Sequence, residues 1–181
     1  VVRVITHRDN PAEEIWFDSV AELASRYDIP VSMPDDANEP ALVAELAALE
    51  PDFLFSFYYR QMLKAPLLAM PKLGAYNMHG SLLPKYRGAA PVQWAILNGD
   101  AETGNSVIQM TPGLDAGPLL AQQSTPIDPD EDAEQLETRL AAMGAEAVGL
   151  PCMMAISTRR FIRRFSGVVL GTSGWESAIP C

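Results

Sequence analysis

The chain has 181 residues, 48% hydrophobic and 20% charged side chains and a formal net charge of −10, which fits one globular domain with a continuous core and excludes disordered, fibrous and repeat-array classes. No apolar run approaches the roughly 20 residues that span a bilayer, and Val1 to Ile5 lacks the basic flank of an export signal. The acidic balance disfavours a dedicated phosphate-backbone binder, and the two cysteines, Cys152 and Cys181, fit neither a disulfide framework nor a zinc cluster, so a reducing cytoplasm is the default.

In chain order, Asn10-Pro11-Ala12-Glu13 predicts a helix start, with Asn as N-cap and Pro at the first helical position. Trp16, Val20, Leu23, Ala24 and Tyr27 continue one apolar face to about Asp28. Ile29-Pro30-Val31 is a short extended piece. Pro40 opens a second helix carrying Leu42, Val43, Leu46 and Leu49, and the unbroken apolar run Phe53 to Phe57 predicts a strand buried on both faces. A helical segment follows at Pro66 to Met70, a strand at Gly74 to Met78, a helix at Pro91 to Asn98, and strands at Val107 to Met110 and Leu119 to Ile127. Asp132 begins a last helix reaching about Val148. Helix and strand alternate, the pattern of an open, mostly parallel α/β sheet with ligands at strand carboxyl ends.

Chemistry concentrates at Tyr76 to Gly88. Asn77 and His79 are two apart at a strand's end, so extended backbone projects both to one side. An amide that donates to a developing oxyanion and an imidazole that accepts a proton are the minimum for acyl transfer to an amine. His79 also reads as a hydrogen-bonded core histidine, but Gly80 lets a substrate approach the backbone and favours the first reading. Asp115, between Gly113 and Gly117, is either a turn residue or, should the loop fold back, the carboxylate partner of His79. Lys85 and Arg87 either receive an anionic substrate group or form a solvated basic turn. No G-x-S-x-G elbow supports Ser81 as a nucleophile, no G-x-G-x-x-G or P-loop occurs, and His7 and His79 have no ligand-like spacing for a metal. Trp16, Trp94 and the aromatics from Phe53 to Tyr59 read as core.

The string Asn77-x-His79-x-Ser81-Leu82-Leu83-Pro84-x-x-Arg87-Gly88, followed by Asp115, resembles the 10-formyltetrahydrofolate-dependent formyltransferases over about residues 4 to 150. The resemblance implies a Rossmann-like formyltransferase fold whose first strand and helix lie upstream of Val1. It implies a primary amine attacking the formyl carbon, with Asn77 on the carbonyl oxygen and His79 receiving the amine's proton, Asp115 standing behind it. It further places the folate on Gln61, Met62 and Leu63 and on Thr111, Pro112, Gly113 and Leu114. The stretches from Thr6 to Pro11 and from Phe55 to Arg60 look like the amino-sugar branch, typified by the enzyme acting on UDP-4-amino-4-deoxy-L-arabinose. Those from Gly88 to Gln93 and from Gly113 to Pro118 look like the methionyl-tRNA branch. The acidic body favours a nucleotide-sugar acceptor over tRNA. The resemblance is also compatible with a phosphoribosylglycinamide acceptor and with an inert folate-binding fragment. Asn105-Ser106 stands where the family carries a β-branched pair.

Charge reverses near Leu150: residues 1–150 carry −13 and residues 151–181 carry +3. The expectation is a catalytic domain over 1–150 and an atypical tail over 151–181, out of frame from about Arg160. No strand alternation or helix face is expected there, nor a loss of stability on its removal.

Overall fold

The computed structural model describes residues 1–8, 19–144 and 167–171. Its strands are β1 Arg3–Ile5, β2 Val31–Ser32, β3 Phe53–Phe57, β4 Gly74–His79, β5 Glu102–Gln109, β6 Leu119–Pro126 and β7 Gly167–Gly171. Its helices are α1 Val20–Arg26, α2 Pro40–Ala48, α3 Ala65–Leu68 and α4 Pro91–Leu97, followed by α5, helical over 133–144. The strands make one seven-stranded, mostly parallel sheet in the order β2-β1-β7-β3-β4-β5-β6, the open Rossmann-like architecture expected. Two compact units divide the chain, one built from residues up to Tyr76 with β7, the other from Asn77 through α5.

In the first unit β3 is buried at all five positions. Phe53, Phe55 and Phe57 alternate onto one face, and their rings stack at centroid separations of 5.5 and 6.3 Å. The tail departs from expectation here. β7 pairs in parallel with β1 on one side and β3 on the other, Val169 lying opposite both Val4 and Phe55. Val168 and Leu170 are fully buried. Gly-Val-Val-Leu-Gly is thus an interior strand, because two hydrophobic edges need a strand between them and this run supplies one. Phe161, Ile162 and Phe165 lie outside the described residues, as does the start at Asn10. The single helix expected to Asp28 does not run through Ser19. That residue is extended (ψ 117°) and caps α1 by accepting from the Glu22 N–H at 3.4 Å.

In the second unit β5 begins at Glu102, five residues before the expected start, because Asn105 and Ser106 are buried with bonded side chains. Asn105 Nδ2 donates to the Leu140 carbonyl at 2.5 Å, and Ser106 Oγ donates to the Ser81 carbonyl at 2.6 Å. The polar pair ties the sheet to α5 and to the loop after β4. Val92, Leu136 and Leu140 form the core between α4 and α5. Trp94, expected in the core, is about half exposed, since Val92 and Ala95 take the inward face of α4. Asp132 and Gln135 cap α5 reciprocally, each backbone N–H donating to the other's side chain.

Arg139 ties α5 to β6. Its Nε and Nη2 donate to the two Glu131 carboxylate oxygens at 3.0 and 2.6 Å, Nη2 donates to the Pro126 carbonyl at 2.8 Å, and Nη1 donates to Thr125 Oγ1. The guanidinium hydrogen bond holds the Glu131 carboxyl below the usual carboxylate range. A depressed acid stabilises the fold above its unfolded value, near 4.3, and the contribution fades as pH falls through the lower folded value. Arg139→Met should therefore cost about 1–2 kcal/mol at neutral pH, with solvent screening limiting the loss. Urea titrations should show the gap between variant and wild type narrowing on acidification, and a pH-independent gap would show that packing alone is lost.

Candidate functional site

β4 ends in Asn77-Met78-His79, and its extended backbone turns Met78 into the core while both flanking side chains meet one carboxylate. Asn77 Nδ2 donates to Asp115 Oδ1 at 3.3 Å. His79 Nδ1 lies 3.5 Å from Asp115 Oδ2, which also accepts the Gly88 N–H at 2.9 Å. Asp115 adopts a left-handed conformation (φ +43°) in the loop between β5 and β6. That loop closes tightly: a Cβ at Gly117 would stand 1.7 Å from the Gln109 carbonyl oxygen, so only glycine fits.

The far side of the imidazole is occupied by main chain. His79 Nε2 is 2.7 Å from the Tyr86 carbonyl oxygen. A carbonyl only accepts, so Nε2 carries the proton, and the lone pair of the neutral ring sits on Nδ1, facing Asp115. The expected pairing of His79 with Asp115 is present on one side of the ring, and a backbone carbonyl, which was not expected, stands on the other. His79 is only 6% exposed, which strengthens these electrostatic terms.

The loop from Gly80 to Gly88 is itself fixed. Ser81 is fully buried and donates to the Lys85 carbonyl at 2.6 Å; Leu83 N–H donates to Ser106 Oγ at 3.1 Å. Of the two cations expected to receive an anionic group, Lys85 pairs with Asp100 at 3.3 Å. Arg87 is exposed and free of an ion pair among the described residues.

The residues expected to hold folate separate between the two units. Thr111, Pro112, Gly113 and Leu114 precede Asp115 in its own loop, and Leu114 lies beside Gly88. Gln61, Met62 and Leu63 belong to the first unit. There Gln61 Oε1 accepts the Ala37 N–H at 2.8 Å and Nε2 donates to the Asp35 carbonyl at 2.9 Å. Met62 carbonyl accepts from Asn38 at 3.0 Å, and Leu63 is buried. The Gln61 side-chain amide is thus committed to a clamp on residues 35–38, and of the three residues Met62 offers an exposed side chain. In the same clamp the Asn38 backbone and side-chain donors hold the Asp36 carboxyl below its ordinary range. Burial pushes the nearby Tyr59 phenol up.

Sequence reasoning missed Tyr86, Gly88 and Ser106, which act through a carbonyl, a main-chain N–H and a buried hydroxyl. The buried-looking Asn105-Ser106 pair inside an apolar strand was the available signal for the last. Among the described residues no group of three or more His, Cys, Asp or Glu side chains is arranged to hold a metal ion, and no helix is long and apolar enough to cross a membrane.

Comparison with known proteins gives a consistent picture. Residues 1–151 match the family described as formyl transferase. A glycinamide ribonucleotide transformylase from Geobacillus kaustophilus is 30% identical, with 77% of this chain and 74% of that one covered and a TM-score of 0.64. The corresponding enzyme from Symbiobacterium toebii is 24% identical over 90% of this chain and 77% of that one, at a TM-score of 0.72. A formyltetrahydrofolate deformylase from Pseudomonas syringae pv. tomato is 22% identical over 82% of this chain and 51% of that one, at 0.66. The last two likenesses speak to fold.

Proposed function

This chain belongs to the formyl transferase family, and on that premise we propose that it moves a formyl group from 10-formyltetrahydrofolate to the primary amine of a small-molecule acceptor, a nucleotide-linked amino sugar of the UDP-4-amino-4-deoxy-L-arabinose type. The convergence of Asn77 and His79 on the Asp115 carboxylate carries the reading. The folate supplies the formyl carbon when bound. Asn77 Nδ2 has two N–H groups; one points to Asp115, and the second donates to the oxygen on which charge develops. His79 Nδ1 takes the proton that the amine must shed as its nitrogen bonds to the formyl carbon, and Asp115 balances the resulting imidazolium. The bond from that carbon to the folate nitrogen breaks, and the nitrogen leaves with the proton that His79 gives back, which restores the neutral ring. Main-chain groups of Thr111 to Leu114 face the folate, and Arg87 takes an acceptor phosphate.

A second reading has glycinamide ribonucleotide as acceptor, favoured by the 30% identity to the Geobacillus enzyme. Methionyl-tRNA is disfavoured by the net charge of −10, which repels a polyanion. The acceptors separate in one assay. With 10-formyltetrahydrofolate as donor, product formation is measured on the amino sugar nucleotide, glycinamide ribonucleotide and methionyl-tRNA side by side. The largest kcat/KM is expected for the amino sugar. Preference for either of the remaining acceptors would replace that assignment, and tight folate binding without turnover on any amine would leave an inert folate-binding chain.

A further inference from the structure

We propose that Tyr86 is the positioning residue that dictates which nitrogen of His79 carries the proton, by way of a clasp at the end of α4. α4 stops in a Schellman turn: Gly99 is left-handed (φ +67°), its N–H donates to the Ile96 carbonyl, and the Asp100 N–H donates to the Ala95 carbonyl. Two side chains are fixed by that turn. Asn98 Nδ2 donates to the Tyr86 hydroxyl at 3.0 Å, and the hydroxyl donates to Asp100 Oδ2 at 3.0 Å. The phenol's donor and an acceptor lone pair are thereby both used. Lys85 Nζ meets the same Asp100 oxygen, and its carbonyl accepts from Ser81, so the residue before Tyr86 is pinned as well.

The backbone between these anchors is strained. Tyr86 has φ +53°, a conformation that costs a bulky residue free energy and persists only where surroundings over-determine it. Here the strain has an identifiable result: it aims the Tyr86 carbonyl at His79 Nε2, 2.7 Å away. With that carbonyl at hydrogen-bond distance the Nδ1–H tautomer would set two lone pairs against each other, whereas the Asp115 oxygen on the other side stands farther off, at 3.5 Å, and already accepts the Gly88 N–H, so the neutral ring is held with Nε2 protonated. Nδ1 is then bare on the side of Asp115. Cutting the phenol's clasp releases the carbonyl and lets the ring rotate or exchange tautomers, although nothing that touches the reacting atoms has been removed.

The inference rests on the formyl-transfer reading for its catalytic consequence, but the tautomer can be observed without turnover. The chain has two histidines, so long-range proton–nitrogen NMR spectra of the full chain, assigned with a His7→Gln variant, report His79 directly. In the wild type, at a pH where the ring is neutral, the Nε2–H tautomer is expected. Tyr86→Phe should give a mixture, with kcat lowered roughly three- to tenfold, since the positioning is indirect and only part of the net worth of a hydrogen bond to a carboxylate reaches the reacting ring, and an acceptor KM little changed. Asp100→Asn, which keeps an acceptor oxygen for the phenol, should retain the wild-type tautomer where Asp100→Ala loses it. Asn98→Ala, at an exposed helix end, serves as a second variant should Tyr86→Phe fold poorly, and a smaller shift in the same direction is expected. A wild type in the Nδ1–H form, or folded variants with unchanged tautomer populations, would overturn the proposal. A shifted tautomer in a chain whose wild type transfers no formyl group would support the positioning role and overturn the functional reading instead.

Discussion

Replacing His79 by alanine should lower kcat for formyl transfer by about 10²- to 10⁴-fold, and Asn77→Ala by about 10²- to 10³-fold. The first figure is the usual worth of a positioned general base and the second that of one oxyanion donor. Both side chains share Asp115 as a partner, at 3.5 and 3.3 Å, so their effects should not add: the double variant is expected to be little slower than His79→Ala alone. Single-turnover rates with saturating 10-formyltetrahydrofolate, on variants whose thermal midpoint matches the wild type, make the comparison. A folded variant of either residue working at near wild-type rate would remove these side chains from the reaction.

The second large effect is on stability. Leu170→Ala should cost about 2–5 kcal/mol, the range for truncating a fully buried leucine, and Leu170→Asp should leave the chain largely unfolded, since the total available is only about 5–15 kcal/mol. The reason is the place of β7. It pairs with β1 through Arg3, Val4 and Ile5 and with β3 along its whole length, so losing it opens two interior edges at once. Urea unfolding followed by circular dichroism reads the change. A variant as stable as the wild type would return the tail to the dispensable status that its charge and composition implied.

How legible the molecule was in its sequence depended on where each residue's partners lie. Phe53 to Phe57 read correctly because burial on both faces leaves a continuous apolar run, and helix starts were marked by a proline at the first helical position, Pro40, and by the cap at Asp132. The beginning of β5 did not, because Asn105 and Ser106 are buried on hydrogen bonds to Leu140 and Ser81, partners distant in the chain. β7 is no shorter than β3 but offers only three apolar residues between glycines, and its burial is conferred by strands distant in the sequence. In the site, the two-residue spacing was enough to bring Asn77 and His79 to one side, whereas the glycine-flanked turn left Asp115 open between a turn residue and the partner of His79, a role that the family resemblance implied. The Gln61 and Lys85 side chains have partners that no spacing reveals, the main chain of residues 35–38 and Asp100. Tyr86 was invisible because its acting atom is a main-chain oxygen, aimed by backbone torsion.

The parallel contact between β1 and β7, in which Arg3 lies opposite Val168, also bears on how this chain comes to be folded. During synthesis the aromatic ladder of β3 emerges long before the strand that covers its edge, and β1 and β3 have no direct pairing to hold them in the interval. The first unit must therefore wait for residue 171 before its sheet can close, and its nascent form leaves the edges of β1 and β3 that β7 joins unpaired. Contacts of such long sequence separation slow the search for the native state, and exposed strand edges during that search invite association. Recovery of active protein should accordingly be more sensitive to expression temperature and chaperone supply than the stability of the finished fold would indicate.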